Sequence, residues 1–219
     1  MTPRPLVVFG GTFDPPHLGH QQVIVGLRRA LGLPVLVVPN GSPAHRRAPH
    51  ASPAERLRMV ELMVAQLGDP QVTVSDLEVS RPGPSYTADT LQRLTEAEPL
   101  RPLLLALGAD AARGLRRWHR PDRVAELARL LLFDRPGAKV SARAAADELR
   151  ARGWPGPEPQ LVSLSAPELE ASRIRARLRR GEEGAGLVAA PVLEYIRARG
   201  LYREAPGSRA AADGIIGAR

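Results

Sequence analysis

Short apolar runs alternate with amphipathic segments along the chain, the pattern of a parallel α/β sheet covered by helices. Near-continuous apolar runs such as residues 103–107 are typical of strands that are buried on both faces. The pattern predicts strands over residues 6–11, 34–40, 72–79, 102–108, 130–135 and 160–164.

Helices are predicted between these strands. Apolar residues follow His20 at spacings of four, three and four as far as Leu31, which predicts a helix after the first strand. Ser52 and Glu55 form a capping box that opens a helix over 53–67, and Ser141 caps another over 142–152. The remaining predicted helices are 85–98, 172–180 and 191–199, of which the last two end at glycines.

Composition supports a single globular domain. The chain of 219 residues is 43% hydrophobic and 25% charged, and no apolar run reaches the roughly 18 residues of a membrane span. The first apolar run is too short for a secretion signal and cysteine is absent, so we expect a cytoplasmic protein without disulfides. We expect residues 1–204 to form the domain, and residues 205–219, which lack periodicity, to form a flexible tail.

The net charge of +8 leaves two interpretations open. A basic chain can bind nucleic acid, or it can bind small polyanions such as nucleotide phosphates and expose its remaining basic residues to solvent. The basic residues are dispersed, and aromatic residues make up only 4% of the chain, which leaves few stacking platforms for single strands. Nucleic-acid binding is therefore the less favoured interpretation.

The first strand ends in Gly10-Gly11 and leads within ten residues into a helix, a geometry suited to phosphate binding. The segment is neither a Walker A loop nor a Gly-x-Gly-x-x-Gly dinucleotide fingerprint, because the spacing of both fails.

A pair of histidines takes the place of those motifs. His17 and His20 are three residues apart at the start of the predicted helix, so both can face the loop and donate to phosphate oxygens. A random His-x-x-His pair is more often structural, and a zinc site lacks an evident third ligand. The position directly after a Gly-Gly strand end favours the functional interpretation.

The sequence Gly-Gly-Thr-Phe-Asp-Pro-Pro-His-Leu-Gly-His at residues 10–20 resembles the signature of the cytidylyltransferase-like superfamily. Two later motifs, Ser-Tyr-Thr at 85–87 and Gly-x-Asp at 108–110 followed by Trp118, resemble those of bacterial nicotinate-nucleotide adenylyltransferases. The resemblance implies a Rossmann-like, doubly wound parallel sheet of order 3-2-1-4-5 with an additional strand, and a small C-terminal helical part. It also implies adenylyl transfer from ATP to nicotinate mononucleotide, giving deamido-NAD and pyrophosphate in NAD biosynthesis.

The resemblance implies the site residues as well. His17 and His20 would be catalytic. The ATP-binding residues would be Gly10, Gly11, Thr12, Phe13, His17, His20, Gly108, Asp110, Arg135, Ser172 and Arg175. The residues binding the nicotinate nucleotide would be Asn40, Arg46, Thr87, Trp118 and His119. We expect magnesium to arrive bound to the ATP phosphates, without a metal cage built by the protein.

The tryptophans are assigned different roles. Trp118 lies in a polar neighbourhood that favours exposure, and its ring is suited to stacking on a pyridine. Trp154, in a Pro/Gly-rich link, is given a structural role.

One motif departs from the family pattern. The family opens a late helix with Ile-Ser-x-Ser/Thr-x-Ile-Arg, where this chain has Glu170 and Ala171 but keeps Ser172 and Arg175. We expect Ser172 to cap that helix. Glu170 would repel a triphosphate unless it turns away, pairs with Arg173 or helps to hold magnesium.

Rival functions remain. The acceptor could be nicotinamide mononucleotide or phosphopantetheine, and a basic nucleic-acid-binding protein could share the fold without activity. A homo-oligomer is also possible, and the sequence does not decide it.

Overall fold

The computed structural model describes residues 3–43, 48–134, 140–164 and 167–203. Its strands are β1 Leu6–Gly11, β2 Val35–Pro39, β3 Ser42–Pro43, β4 Val72–Val74, β5 Pro84–Ser85, β6 Leu103–Gly108, β7 Ala128–Phe133 and β8 Gln160–Val162. Its helices are α1 Leu18–Leu31, α2 Pro53–Ala65, α3 Thr87–Ala97, α4 Ala109–Arg113, α5 Pro121–Leu127, α6 Ala142–Ala151, α7 Ala171–Arg179 and α8 Ala190–Ala198, with a 3-10 turn at Leu115–Arg117.

Six of the strands form one parallel sheet in the order β4-β2-β1-β6-β7-β8. Counted along the chain, this is 3-2-1-4-5 with an additional strand at the edge, as the resemblance implied. The two-residue strands β3 and β5 pair with each other outside the main sheet. The predicted doubly wound α/β fold is confirmed.

The boundaries differ from the predictions at several ends. β4 stops at Val74 instead of residue 79, and α3 begins at Thr87 because Ser85 belongs to β5. The prediction missed α4, the 3-10 turn and α5, which are short and lie in a stretch rich in arginine. Elements of this length carry too few residues for a clear helical period. The capping roles of Ser52 and Ser141 are confirmed.

Residues of β1 alternate between two cores on opposite faces of the sheet. Val7 and Phe9 join the core formed with α1, α2, α7 and α8, whereas Leu6 and Val8 join the core formed with α3, α4, α5 and α6. Because successive side chains of a strand point to opposite faces, both layers of helices attach to this central strand. The C-terminal helices α7 and α8 therefore belong to the first core.

The carboxyl ends of β1 and β6 form a crevice. Residues Leu6–Val8 pair with Leu103–Leu105, whereas the two strands run three residues further, to Gly11 and Gly108. β2, the next strand along the chain, lies on one side of β1, and β6 lies on its other side. This is the topological switch point at which open α/β sheets bind ligands.

Within the described ranges, no helix is long and apolar enough to cross a membrane.

Candidate active site

His17 and His20 lie together at the start of α1, above the crevice. His17 is the residue that precedes the helix, and the ring centroids of the two histidines are 3.7 Å apart with the rings stacked. The backbone N–H of His17 donates to Nδ1 of His20 at 3.2 Å. Because Nδ1 of His20 accepts this bond, the ring proton of neutral His20 lies on Nε2, which can donate to a phosphate oxygen.

Gly19 lets the His17 ring lie against the first turn of the helix. A Cβ atom at position 19 would stand 2.9 Å from Nδ1 of His17 and 3.4 Å from the carbonyl oxygen of Pro167. The glycine of the His-x-Gly-His element is therefore required by packing. It leaves room for the His17 ring beneath the segment that leads to α7.

Phe13 packs against one of the two histidines, His20. Its ring is buried and lies edge-on to His20, with centroids 4.9 Å apart. Its backbone is in the left-handed region, with φ at 52°. A Cβ atom on Gly11 would approach the Phe13 ring to 2.9 Å. Phe13, assigned to ATP binding by resemblance, thus has a packing role that the structure shows directly.

Arg56 ties the first loop to the end of β2. This α2 side chain is fully buried and donates hydrogen bonds to the carbonyl oxygens of Thr12, Asn40, Gly41 and Ala51. It also donates to Oδ1 of Asn40 at 3.0 Å, while Nδ2 of Asn40 donates to Oγ1 of Thr12 at 3.3 Å. Asn40 and Thr12, predicted for different substrates, are thus held in contact.

Asp14 is the centre of a second buried network. Its carboxylate accepts hydrogen bonds from the backbone N–H groups of His50 and Ala51 and from the hydroxyl of Tyr202. Burial by itself would raise the pKa of Asp14, but these hydrogen bonds and the nearby Arg175 guanidinium hold it below its ordinary value. Burial and the Asp14 charge raise the pKa of Tyr202, whose hydroxyl therefore stays a donor.

Arg175 reaches the loop after β1 from α7. Its Nη1 donates to the carbonyl oxygen of Asp14 at 2.6 Å and lies 3.7 Å from Oδ2 of the same residue. Its Nε is buried and makes no hydrogen bond within the described residues. Arg175 thus lies beside the predicted triphosphate site, and its contact with ATP stays a prediction.

The prediction that Ser172 caps α7 is wrong. The helix begins at Ala171 with Glu170 as the preceding residue, so Ser172 lies inside the first turn. Its Oγ is 3.4 Å from Oε2 of Glu170, and Nε of Arg173 is 3.2 Å from the same oxygen. Of the three alternatives for Glu170, the structure shows pairing with Arg173.

Gly108 and Asp110 lie at the end of β6, as predicted. Gly108 is buried and precedes α4, and Asp110 is exposed in the first turn of that helix. Gly108 is thus placed at the crevice opposite the first loop.

The Ser-Tyr-Thr motif and the Trp118 segment meet. α3 begins at Thr87, and the ring of the preceding Tyr86 stacks on His119 with centroids 4.1 Å apart. Trp118 is half-buried and packs against the second core, so it is less exposed than its polar neighbourhood indicated. Its neighbours Arg117, His119 and Arg120 are exposed. Trp154 packs against the same core, which confirms its structural role.

Two predicted site residues, Arg46 and Arg135, lie outside the described residues. Within the described part of the chain, no group of three or more His, Cys, Asp or Glu side chains is placed to hold a metal ion.

Sequence reasoning missed Arg56, Asp14 and Tyr202 as parts of the site. A signal existed for Arg56, which shares the buried face of α2 with Met59, Val60 and Met63. A charged residue in register with an apolar helix face is an indication of a buried functional or structural charge. No sequence signal indicates that Asp14 and Tyr202 pair, because the fold brings these distant residues together.

Comparisons with known proteins agree with this geometry. The cytidylyltransferase-like family model matches residues 8–177. A protein of Sodalis glossinidius named "Probable nicotinate-nucleotide adenylyltransferase" is 39% identical over 93% of this chain and its own entire length. A relative of the same name from Roseiflexus sp. is 38% identical over the same shares. The chain belongs to the nicotinate-nucleotide adenylyltransferase family.

Solved structures share the fold at lower identity. The Plasmodium falciparum nicotinic acid mononucleotide adenylyltransferase complexed with NaAD aligns with a TM-score of 0.75 at 16% identity, covering 91% of this chain and 98% of that one. The same protein complexed with APC aligns with a TM-score of 0.71, also at 16% identity, over 90% and 96% of the two chains. The architecture of this adenylyltransferase family member is thus shared with proteins of very different sequence.

Proposed function

We propose that the protein transfers the adenylyl group of ATP to nicotinate mononucleotide, giving deamido-NAD and pyrophosphate. The observation that carries the proposal is the stacked pair His17 and His20 at the start of α1, beside the crevice between β1 and β6. Family membership supports the same reaction. The substrates are phosphorylated nucleotides, so we place the reaction in the cytoplasm.

The reaction needs alignment and charge neutralisation rather than a protein nucleophile. A phosphate oxygen of nicotinate mononucleotide, whose second pKa is about 6, is ionised near neutral pH and attacks the α-phosphorus of ATP. The new P–O bond forms as the bond from the α-phosphorus to the bridging oxygen breaks. Pyrophosphate leaves with that electron pair, so atoms and charge balance without a protein intermediate.

His20 would donate from Nε2 to oxygen atoms on which negative charge grows. Its Nδ1 accepts from the backbone of His17, and its ring is held by Phe13 below and the His17 ring beside it. A donor fixed in this way loses little freedom when the charge develops, which is the condition for transition-state stabilisation. The first-turn N–H groups of α1 would add to the favourable field for phosphate.

Magnesium would be carried by the triphosphate, where it neutralises phosphate charge. Asp110, exposed at the crevice, is the carboxylate of the β6 end that could approach such an ion or the ribose. Arg175 would face the triphosphate through the buried Nε and the rest of its guanidinium.

The pyridine nucleotide would lie between Thr87 at the start of α3 and the Trp118–His119 segment. The half-buried Trp118 ring offers a stacking surface, worth about 1 kcal/mol beyond area burial. The N–H groups of the first turn of α3 and the guanidinium of Arg120 favour a negatively charged ring substituent. These features support the acid over the amide as acceptor.

An acceptor panel tests this proposal. Purified protein is incubated with ATP, magnesium and, in separate reactions, nicotinate mononucleotide, nicotinamide mononucleotide or phosphopantetheine, and pyrophosphate release is followed. We expect the highest kcat/KM with nicotinate mononucleotide. Release with phosphopantetheine alone, or no release with any acceptor, would sink the proposal. A basic nucleic-acid-binding protein without activity would give that last result.

A further inference from the structure

Two side chains at the start of α3, Tyr86 just before the helix and Asp89 in its first turn, contact the segment that follows Trp118. The ring of Tyr86 stacks on the ring of His119 with centroids 4.1 Å apart and planes inclined by 28°. Oδ1 of Asp89 lies 3.7 Å from Nη1 of Arg120. Both contacts join the start of α3 to the same short loop.

The backbone of that loop is in an unfavourable conformation. Arg120 has φ 52° and ψ 58°, the left-handed region that L side chains other than Asn and Asp seldom adopt. Such a conformation persists where surrounding contacts determine it. On one side the N–H of Trp118 donates to the carbonyl oxygen of Leu115, and on the other side Pro121 opens α5. The loop is therefore fixed at both ends and from the α3 side.

The stack carries more of this restraint than the ion pair. Arg120 is about half-exposed and its contact with Asp89 is long, so the pair contributes little by itself. Asp89 is shared, since its other oxygen lies 3.1 Å from Nη1 of Arg81. An aromatic pair holds two rings at a defined distance and inclination, which an exposed ion pair does not.

Tyr86 lies outside the two core clusters. It is half-buried, in contrast to its neighbours Ala88 and Leu91, which belong to the second core. Its ring meets a residue of the predicted acceptor site, whereas the histidines of the predicted ATP site belong to α1.

We propose that Tyr86 is a positioning residue for the acceptor nucleotide. Through the His119 ring it fixes the loop that presents Trp118 and the backbone N–H groups of residues 119 and 120 to the pyridine carboxylate. Tyr86 acts on acceptor affinity and leaves ATP binding unchanged. This inference rests on the proposed function, because it concerns the acceptor half of that site.

The experiment compares Tyr86→Leu and Tyr86→Phe with the wild type in steady-state assays that vary nicotinate mononucleotide and ATP separately. Loss of the stack raises the KM for nicotinate mononucleotide by about three- to tenfold. The KM for ATP stays within about twofold, and Phe, which keeps the ring, retains most of the wild-type affinity. Calorimetric titration with each nucleotide gives the same split without turnover.

Tyr195→Leu is the matched control, because Tyr195 is also half-buried but packs on α8 against the first core. We expect it to change neither KM. An unchanged acceptor KM in Tyr86→Leu, an equal rise in both KM values, or a Phe variant as impaired as Leu would overturn the inference. If the wild type itself turns over no nicotinate mononucleotide, the proposed function fails and this inference falls with it.

Discussion

The hydroxyl of Tyr202 donates a 2.7 Å hydrogen bond to the carboxylate of Asp14, across 188 residues of chain. Asp14 lies between Phe13 and His17 in the first loop, and Tyr202 follows α8 near the end of the described chain. The C-terminal helical part is thus anchored to the loop that carries the proposed chemistry.

Removing this hydroxyl is expected to lower stability. Tyr202→Phe keeps the buried ring and deletes one hydrogen bond to a charged acceptor, which costs about 1.5–3 kcal/mol. Urea unfolding measures the difference, with Tyr195→Phe as control, since the Tyr195 hydroxyl makes no hydrogen bond in the described residues and its loss should change little. Equal stability of Tyr202→Phe and wild type would contradict the anchoring role.

The pH dependence of stability tests Asp14 itself. Its folded pKa lies below the unfolded value of 3.8, so the stabilisation from its charge is complete above that value and is lost as the pH falls through the folded pKa. Urea unfolding from pH 7 down to pH 3 should therefore show Asp14→Asn far below wild type at neutral pH, with the gap narrowing in acid. Asp147→Asn, at an exposed position, is the control and should differ little from the wild type at neutral pH. A gap that widens in acid would refute the assignment.

Substitution of Gly19 tests whether the position of the His17 ring matters for turnover. In Gly19→Ala the new methyl group would displace the His17 ring, and we expect turnover to fall by at least about tenfold, as for other small misplacements of catalytic groups. In Gly26→Ala, in the same helix, the added methyl group would lie 2.9 Å from Cδ2 of the Leu164 side chain and would meet no histidine, so this variant should stay active. A fully active Gly19→Ala would mean that the His17 position is not critical.

Trp118→Ala should weaken binding of the pyridine nucleotide and spare ATP. Loss of the stacking surface predicts a rise of about tenfold in the KM for nicotinate mononucleotide. Trp154→Ala, which removes the other tryptophan from the same core, should lower the melting temperature without changing either KM. The reverse pattern, with ATP affected and the acceptor spared, would show that Trp118 is assigned to the wrong substrate.

Most of the fold follows from local sequence. The residues of β1 and β6 form apolar runs that end in glycine, so the strands and their carboxyl ends were predictable, and the family prediction is confirmed. The position of the histidines at the start of α1 followed from the spacing after Gly10-Gly11. The networks around Arg56 and Asp14 did not, because their partners are brought together only by the packed sheet and helices. Ser172 is not the cap because α7 begins at Ala171, two residues before the position at which a Ser172 cap would open it.

His20→Ala tests the proposed donor. Removing one preorganised transition-state donor should lower kcat by at least about 100-fold, with the KM for both nucleotides changed far less. The variant also loses the acceptor of the His17 N–H and the ring contact with Phe13, so its unfolding in urea is measured alongside its rate. A near-wild-type rate would show that His20 is structural.

The central claim is cleavage of ATP at the α-phosphate with transfer to nicotinate mononucleotide, and the fate of labelled phosphate measures it most directly. With ATP labelled at the α-phosphate, all of the label should appear in deamido-NAD, and with ATP labelled at the γ-phosphate it should appear in pyrophosphate. Two results together would contradict the account. The γ-label would appear in free phosphate or in the acceptor, and none of the α-label would appear in the dinucleotide.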